Sequence, residues 1–526
     1  MKNRVINRRD FIKTAAMVSI PFTLGGFQLF GLSRQNAQLI NNDENDKVLV
    51  LVQLQGGNDG LATIFHNEQY ANLNAVRNNI IIPEKSILNF HNEYGFHSAM
   101  QGMKEVWDME ALGIVQNVGY PDQNRSHFRS TDIWNSASSA EVFENRGWIG
   151  RMYDLNYSDY PNGYPNSQNP HPFALTMGKI VSETCQGVNA NYSLSLLDPF
   201  NPGTALVSAG GDIPSNCYGD ALAFVNDTVS QTNAFASVIS TAANAGKNLS
   251  PRWDNLTTEL SKKLKNVARL ISGGLKTKIY IVQIGGFDTH DNQVVGGTTN
   301  TGIHSNLLKE VSDAIYAFQD DLKLLNVDDK VIGMTYSEFG RRIRSNAALG
   351  TDHGTAAPLF LFGSCIRHQI IGDHPEIDTQ VGMDEGVPMQ YDFRDVYGTV
   401  LQNWLGLKEA DVSNVINRKI QLLPLFKSGC TEITSVSQRS HENEFEIHLH
   451  PNPASNYVQF ELNTMHGFTQ ISVFDGKGGL VHKLDIDDHS DKNQSISLNI
   501  SNYSSGSYFI HIQNRFVNKT KKFIKI

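Results

Sequence analysis

Apolar positions along this chain come first as near-continuous runs alternating with helical stripes, and later as strict one-in-two alternation. Ile279, Tyr280, Ile281, Val282 and Ile284 form a nearly unbroken β-branched and aromatic run, the mark of a strand buried on both faces. The run breaks at Gly285-Gly286 and delivers Asp288 and His290. Val48 to Gly60 repeats the pattern, with Asp59 just past Gly56-Gly57. Between them, Met100, Met103, Val106 and Trp107 recur at helical spacing, and Gly113 to Val118 reads as another strand. Strand, helix, strand is the grammar of a parallel sheet, and ligands bind beyond the carboxyl ends of such strands. Asp59, Asp288 and the loop Gly119 to Phe128, which carries Arg125, Ser126 and His127, are therefore expected at one sheet edge.

Further on, Leu260 to Ile271 predicts a helix, and Leu308, Val311, Ile315, Phe318 and Leu322 line one face of a second. Val331 to Tyr336 is a strand leading to Glu338, Pro358 to Phe362 another, and Tyr391 to Gly406 a last helix with Asp392 or Asp395 at its start. Residues 154–250 are rich in Asn, Ser, Pro, Gly and Tyr, which argues against a run of sheet strands and for an insertion or cap over the crevice. The α/β domain thus spans 46–426. After a polar linker at 428–443, residues 444–526 alternate apolar and polar positions around short turns, as in a small antiparallel sandwich. The fold class expected is α/β, a mostly parallel sheet with helices on both faces, plus this small all-β domain.

Composition narrows the partners. With 526 residues the chain exceeds a single core, and a net charge of -9 with pI near 6.0 argues against a nucleic-acid surface. Cys185, Cys217, Cys365 and Cys430 have no CxxC spacing; Cys185 and Cys217 share a loop-rich region and either pair after export or stay free. Arg8-Arg9 precede an uncharged stretch from Thr14 to Ser33 and a small-residue site near Gln35 to Ala37. This reads as a removable twin-arginine export signal over 1–37, with a retained membrane anchor as the alternative.

Two resemblances add to this. His450-Pro451-Asn452-Pro453, ISVFDGKGGLV, GSYFIHI and a basic final strand resemble the type A sorting domain of the type IX secretion system of Bacteroidota. That implies the secretion machinery as partner, and release at the cell surface or outside the cell. Arg8-Arg9-Asp10-Phe11, GGNDGL, the RSHF loop, GGFDTH, SEFGRR and GTDHG together resemble a secreted family of unknown function that is distantly similar to the alkaline phosphatase and sulfatase superfamily. The superfamily resemblance implies a divalent metal, Zn²⁺ or Mn²⁺ by donor type. Its ligands would come from Asp59, Asp288, His290, Glu338, Asp352 and His353. Ser126 would be the nucleophile, with Arg125 and His127 beside it. Asp352-His353-Gly354 precedes a strand rather than following one, so Glu338 is expected nearer the metal than Asp352, and His353 is the superfamily's final histidine. Phe339 stands where the superfamily has a histidine, and Asp288 and His290 are closer together than is common there. His97 reads as structural. The functions implied are a hydrolase of small anionic esters or of phosphorylated or sulfated glycans, or a binding protein of the same fold without turnover.

Overall fold

The computed structural model describes residues 46–202, 233–430 and 449–526, apart from short breaks at 463–466, 477–478, 489–493 and 515–517. Ahead of them it describes only the backbone of two paired strands, Phe22–Leu24 and Phe27–Leu29. The remainder of the expected signal, most of the linker and Cys217 lie outside the described residues. The chain divides into two compact units, 1–431 and 432–526.

The first unit is built on a mixed sheet. Its strands are β1 (Val48–Leu54), β2 (Leu112–Gly119), β3 (Ala174–Thr176), β4 (Ser193–Ser195), β5 (Ile279–Ile284), β6 (Val331–Tyr336), β7 (Ala357–Phe362) and β8 (Gln369–Ile371). They lie in the order β8-β2-β7-β6-β1-β5-β3-β4, all parallel except β7, and Tyr391–Asp392 adds a short pair to β2. β3 and β4 come from the stretch that the composition marked as strandless. Three-residue strands are too short to leave a periodic signal, and they form because β5 offers a free edge.

Helices cover both faces, as the continuous runs require. Val48, Val50, Val52 and Leu54 of β1 pack with α1 (Gln101–Asp108), α4 (Glu259–Ser272) and α5 (Ile303–Leu324). Leu49 and Leu51 point the other way, toward α2 (His127–Ser136), α3 (Trp148–Tyr157) and α6 (Phe393–Asn403). Asp392 caps α6 by accepting the Arg394 amide at 2.9 Å. A disulfide joins Cys365 to Cys430, and Cys185 is buried as a free thiol. None of the described helices is long and apolar enough to cross a membrane.

The second unit is an antiparallel pair, Tyr457–Leu462 with Gln494–Asn499, and a four-stranded antiparallel sheet. Val458, Ile471, Val473, Leu498, Ile510 and Phe523 form its core. All but Phe523, which lies in the basic final strand, are alternating positions of the sequence.

Candidate metal centre

Five chain segments converge at the carboxyl edge of the sheet. The loops after β1 and β5 are interlocked: Gly56 has φ +120°, and a Cβ on it would lie 2.2 Å from the Asp288 amide nitrogen. The loop after β6 supplies Glu338 and Arg341, and the N-terminus of α2 supplies His127. The segment before β7 supplies Asp352 and His353. Because β7 runs antiparallel to its neighbours, the segment leading into it lies at the same edge as the loops leaving the other strands.

At the centre stands the Asp288 carboxylate. The Nε2 atoms of His290 and His353 lie 3.1 and 3.2 Å from its Oδ1, and Nε2 of His127 lies 3.3 Å from Oδ2. The Nε2 atoms of His290 and His353 are 2.7 Å apart. Each imidazole is held from behind through Nδ1: His127 on Glu338 Oε1 at 2.9 Å, His290 on Asp352 Oδ1 at 2.9 Å, and His353 on the Arg125 carbonyl at 2.8 Å. An ionised carboxylate or a carbonyl only accepts, so each Nδ1 donates, and a ring in its neutral form turns a lone pair on Nε2 toward Asp288.

Three lone pairs and a carboxylate facing one another repel unless positive charge lies among them. Nε2 of His127 is buried without a hydrogen-bond partner. Buried polar atoms are seldom left so, and one aimed at other donors is what a cation site needs. One ligand atom from each of His127, Asp288 and His353 falls within 4.8 Å of the other two. Three imidazoles and a carboxylate, each imidazole oriented through its other nitrogen, fit Zn²⁺ or a similar borderline metal.

The surrounding groups act on this state in different directions. Burial raises the Asp288 carboxyl pKa, but the hydrogen bond and charge of Arg341 outweigh it and hold the group below its ordinary value. The hydrogen bond to Glu338 holds His127 above its usual value, whereas burial lowers His353. Arg341 itself is fully buried; it donates to the carbonyls of Gly56, Gly57, Phe287 and Thr351 and, at 2.7 Å, to Asp288 Oδ1. It therefore clamps both Gly-Gly loops and Asp288 with one side chain.

The structure brings Asp288, His290, His353 and His127 together. Asp59 stands apart from them. Its carboxylate is fully buried and takes Nη1 of Arg77 at 3.0 and 2.9 Å and Nε2 of Gln293 at 2.7 Å. Burial works against its charge, but Arg77 and His304 keep its pKa low. Asp59 thus serves a buried ion pair. Glu338 and Asp352 each stand behind an imidazole, Glu338 on His127 and Asp352 on His290. Ser126 is the exposed N-cap of α2, where its side chain makes no capping bond. Nη1 of Arg125 donates to the Asp384 carbonyl at 2.8 Å. The Phe339 ring lies 4.7 Å from that of His353 and 4.9 Å from that of His127, forming an apolar support where a further histidine was sought. His97 is buried, its Nδ1 accepting the Ala99 amide. Sequence reasoning missed Arg341 and Arg77, because a buried arginine is marked only by the carbonyls and carboxylates folded around it.

Among known proteins, two family models match parts of the chain. Residues 448–526 match that of a secretion system C-terminal sorting domain, and residues 268–420 match that of a protein of unknown function, DUF1501. Both resemblances read from the sequence have their counterpart in these matches. No curated protein matches the chain. Among solved structures it is similar to a lipoteichoic acid synthase of Listeria monocytogenes (10% identity, 71% of this chain and 76% of that one, TM-score 0.31). It is also similar to an alkaline phosphatase superfamily protein of Vibrio parahaemolyticus (10%, 85% and 78%, TM-score 0.30). A Bacteroides vulgatus protein with an immunoglobulin-like β-sandwich covers 14% of this chain and 76% of its own length, at 22% identity and a TM-score of 0.12.

Proposed function

We propose that this is an exported metal-dependent hydrolase of phosphate or sulfate esters, with one divalent cation, Zn²⁺ or Mn²⁺, held by His127, Asp288, His290 and His353. The observation that carries it is the convergence of three Nε2 lone pairs on one carboxylate, with every Nδ1 already committed to an acceptor. A cation there supplies Lewis acidity, polarising a phosphoryl or sulfuryl oxygen and easing deprotonation of an oxygen nucleophile. The chain's own groups do the rest. Glu338, Asp352 and the Arg125 carbonyl keep the protons on Nδ1, and Arg341 holds Asp288 charged and in place. Arg125 and Arg342 add positive charge at the rim for an anionic ester. Arg342 lies 3.4 Å from Asp352 and 2.7 Å from Asp384. Ser126 offers a hydroxyl next to His127 as the attacking oxygen. The C-terminal match to a sorting domain supports export, by way of the type IX machinery, to the surface or the medium.

A specific observation favours the second reading, a binding protein without turnover. Asp288 already accepts a guanidinium, which weakens its pull on a cation. Metal analysis and an ester-hydrolysis screen on the purified chain decide between them. The hydrolase reading expects about one equivalent of metal and turnover, with Asp288→Asn losing both. Ser126→Ala should keep the metal and lose several orders of magnitude in rate. Protein that carries metal but hydrolyses no phosphate or sulfate ester supports the binding reading. Protein that takes up no divalent metal removes the metal centre itself.

A further inference from the structure

A hollow of about 490 Å³ opens beside the edge strand β8. β8 is three strands from β6 and five from β5 in the sheet order, so at about 4.8 Å per strand it is displaced roughly 15–25 Å sideways from the imidazole cluster. Its volume is that of a small-molecule site, with room for roughly one or two sugar rings. Tyr94 and Trp107, each 7% exposed, lie at its base together with Ile370. The His368 ring packs 4.0 Å from that of Trp107, and its Nδ1 is buried without a hydrogen-bond partner.

The charge of the hollow is negative. Glu93 and Asp373 are exposed at its margin, and among the described residues no lysine or arginine lines it. After burial, it is the charges of these two carboxylates that push the Tyr94 phenol up, which places both close to it. A sulfate or phosphate group would be repelled here. The polar groups are also of mixed kind. Nδ1 of His91 accepts the Glu93 amide at 3.4 Å, leaving Nε2 as the protonated nitrogen. Nε2 of Gln369 donates to the Pro424 carbonyl, leaving its oxygen as an acceptor. An ammonium group, which only donates, would meet His91 badly. A hydroxyl-rich neutral ligand both donates to the carboxylates and accepts from His91, while its C–H face packs on Tyr94, Trp107 and Ile370.

We infer that this hollow is a binding subsite for a neutral saccharide, placed to hold a glycan chain at a distance from the imidazole cluster. The inference stands whether or not that cluster turns over an ester. The test uses the full chain, titrated by saturation-transfer NMR and calorimetry with neutral gluco-, galacto-, manno- and xylo-hexasaccharides, a sulfated hexasaccharide and a lysine hexapeptide. At least one neutral hexasaccharide should bind, and in Asp288→Asn, which disables the imidazole cluster, it should bind more tightly than the sulfated one. Glu93→Ala with Asp373→Ala, both at exposed positions, should weaken that binding at least tenfold while metal content and melting temperature stay unchanged. Asp288→Asn should leave it intact. No binding across the neutral panel, or equal binding by the double variant, overturns the inference. So does a preference for the lysine peptide that the double variant abolishes, since the hollow would then be a cation site.

Discussion

Glu338 shows how one side chain acts through another. It is 4% exposed, its Oε1 accepts from His127 Nδ1 at 2.9 Å and from the Gly56 amide at 2.7 Å, and its own carbonyl is held by Trp134. Replacing it with Gln keeps the shape but lets an amide face Nδ1, so the tautomer that aims a lone pair at Asp288 is no longer enforced. Metal affinity in Glu338→Gln should fall roughly 10- to 100-fold, the range for groups that orient metal-ligating histidines. Competition against a zinc chelator measures this; unchanged affinity would mean that Glu338 only packs the loop. A second residue-scale effect concerns acid. His304 is fully buried against Asn58, and burial lowers its pKa to about 4. Unfolded, it titrates near 6.5. Between those values the unfolded chain binds the extra proton, so stability falls as pH drops from about 6.5 to 4 and this contribution then levels off. Melting temperatures across that range should show the slope, and His304→Gln should lessen it, the remainder coming from His97 and His374, which burial lowers to about 3 and about 4.

At the scale of elements, the crossing of the two Gly-Gly loops is the most restrictive contact. Gly56→Ala would place a Cβ 2.2 Å from the Asp288 nitrogen at φ +120°, while Gly163, also at positive φ, has nothing within 4 Å. Gly163→Ala should therefore cost only about 1 kcal/mol of backbone strain, whereas Gly56→Ala should cost more than about 3 kcal/mol and move Asp288 as well. Chemical denaturation of both variants, with metal content read in parallel, separates the two. Equal costs would mean that the loops are not interlocked. The helices illustrate what pattern can reveal. Leu308, Val311, Ile315, Phe318 and Leu322 all lie on the buried face of α5. Tyr391 and Asp392, expected as the first turn of the last helix, instead pair with β2 before α6 begins at Phe393. Edge pairing with a strand distant in sequence has no local signature.

For the whole molecule, the prediction concerns the division at 431/432. Each unit has its own buried core, the second built on Val458, Ile471, Val473, Ile510 and Phe523. A chain ending near Thr431 should fold, keep the Cys365–Cys430 bridge and take up metal, yet remain in the periplasm. Cell fractionation of the truncated and full chains checks this; equal amounts at the surface or in the medium would remove the sorting role of the tail.

Buried strands, helical faces and the alternating tail are local patterns, and they were legible because a side chain's burial follows its spacing along one element. So was the place of Asp288 and His290 at a strand end, since a glycine break follows the apolar run there; His353, ahead of a strand, rested on the superfamily resemblance. Which carboxylate does what was not legible. Asp59 and Asp288 follow almost the same motif, yet Arg77 and Gln293 take up the buried carboxylate of one, whereas the other is shared between Arg341 and the imidazoles. His127 joins the centre because α2 begins beyond the carboxyl end of β2, and Asp352 shares its edge with Glu338 because β7 is laid antiparallel between β2 and β6. Local pattern limits which residues can reach the edge of the sheet. Their partners are set by packing, because charge pairing and lone-pair direction depend on distances between segments far apart in the chain.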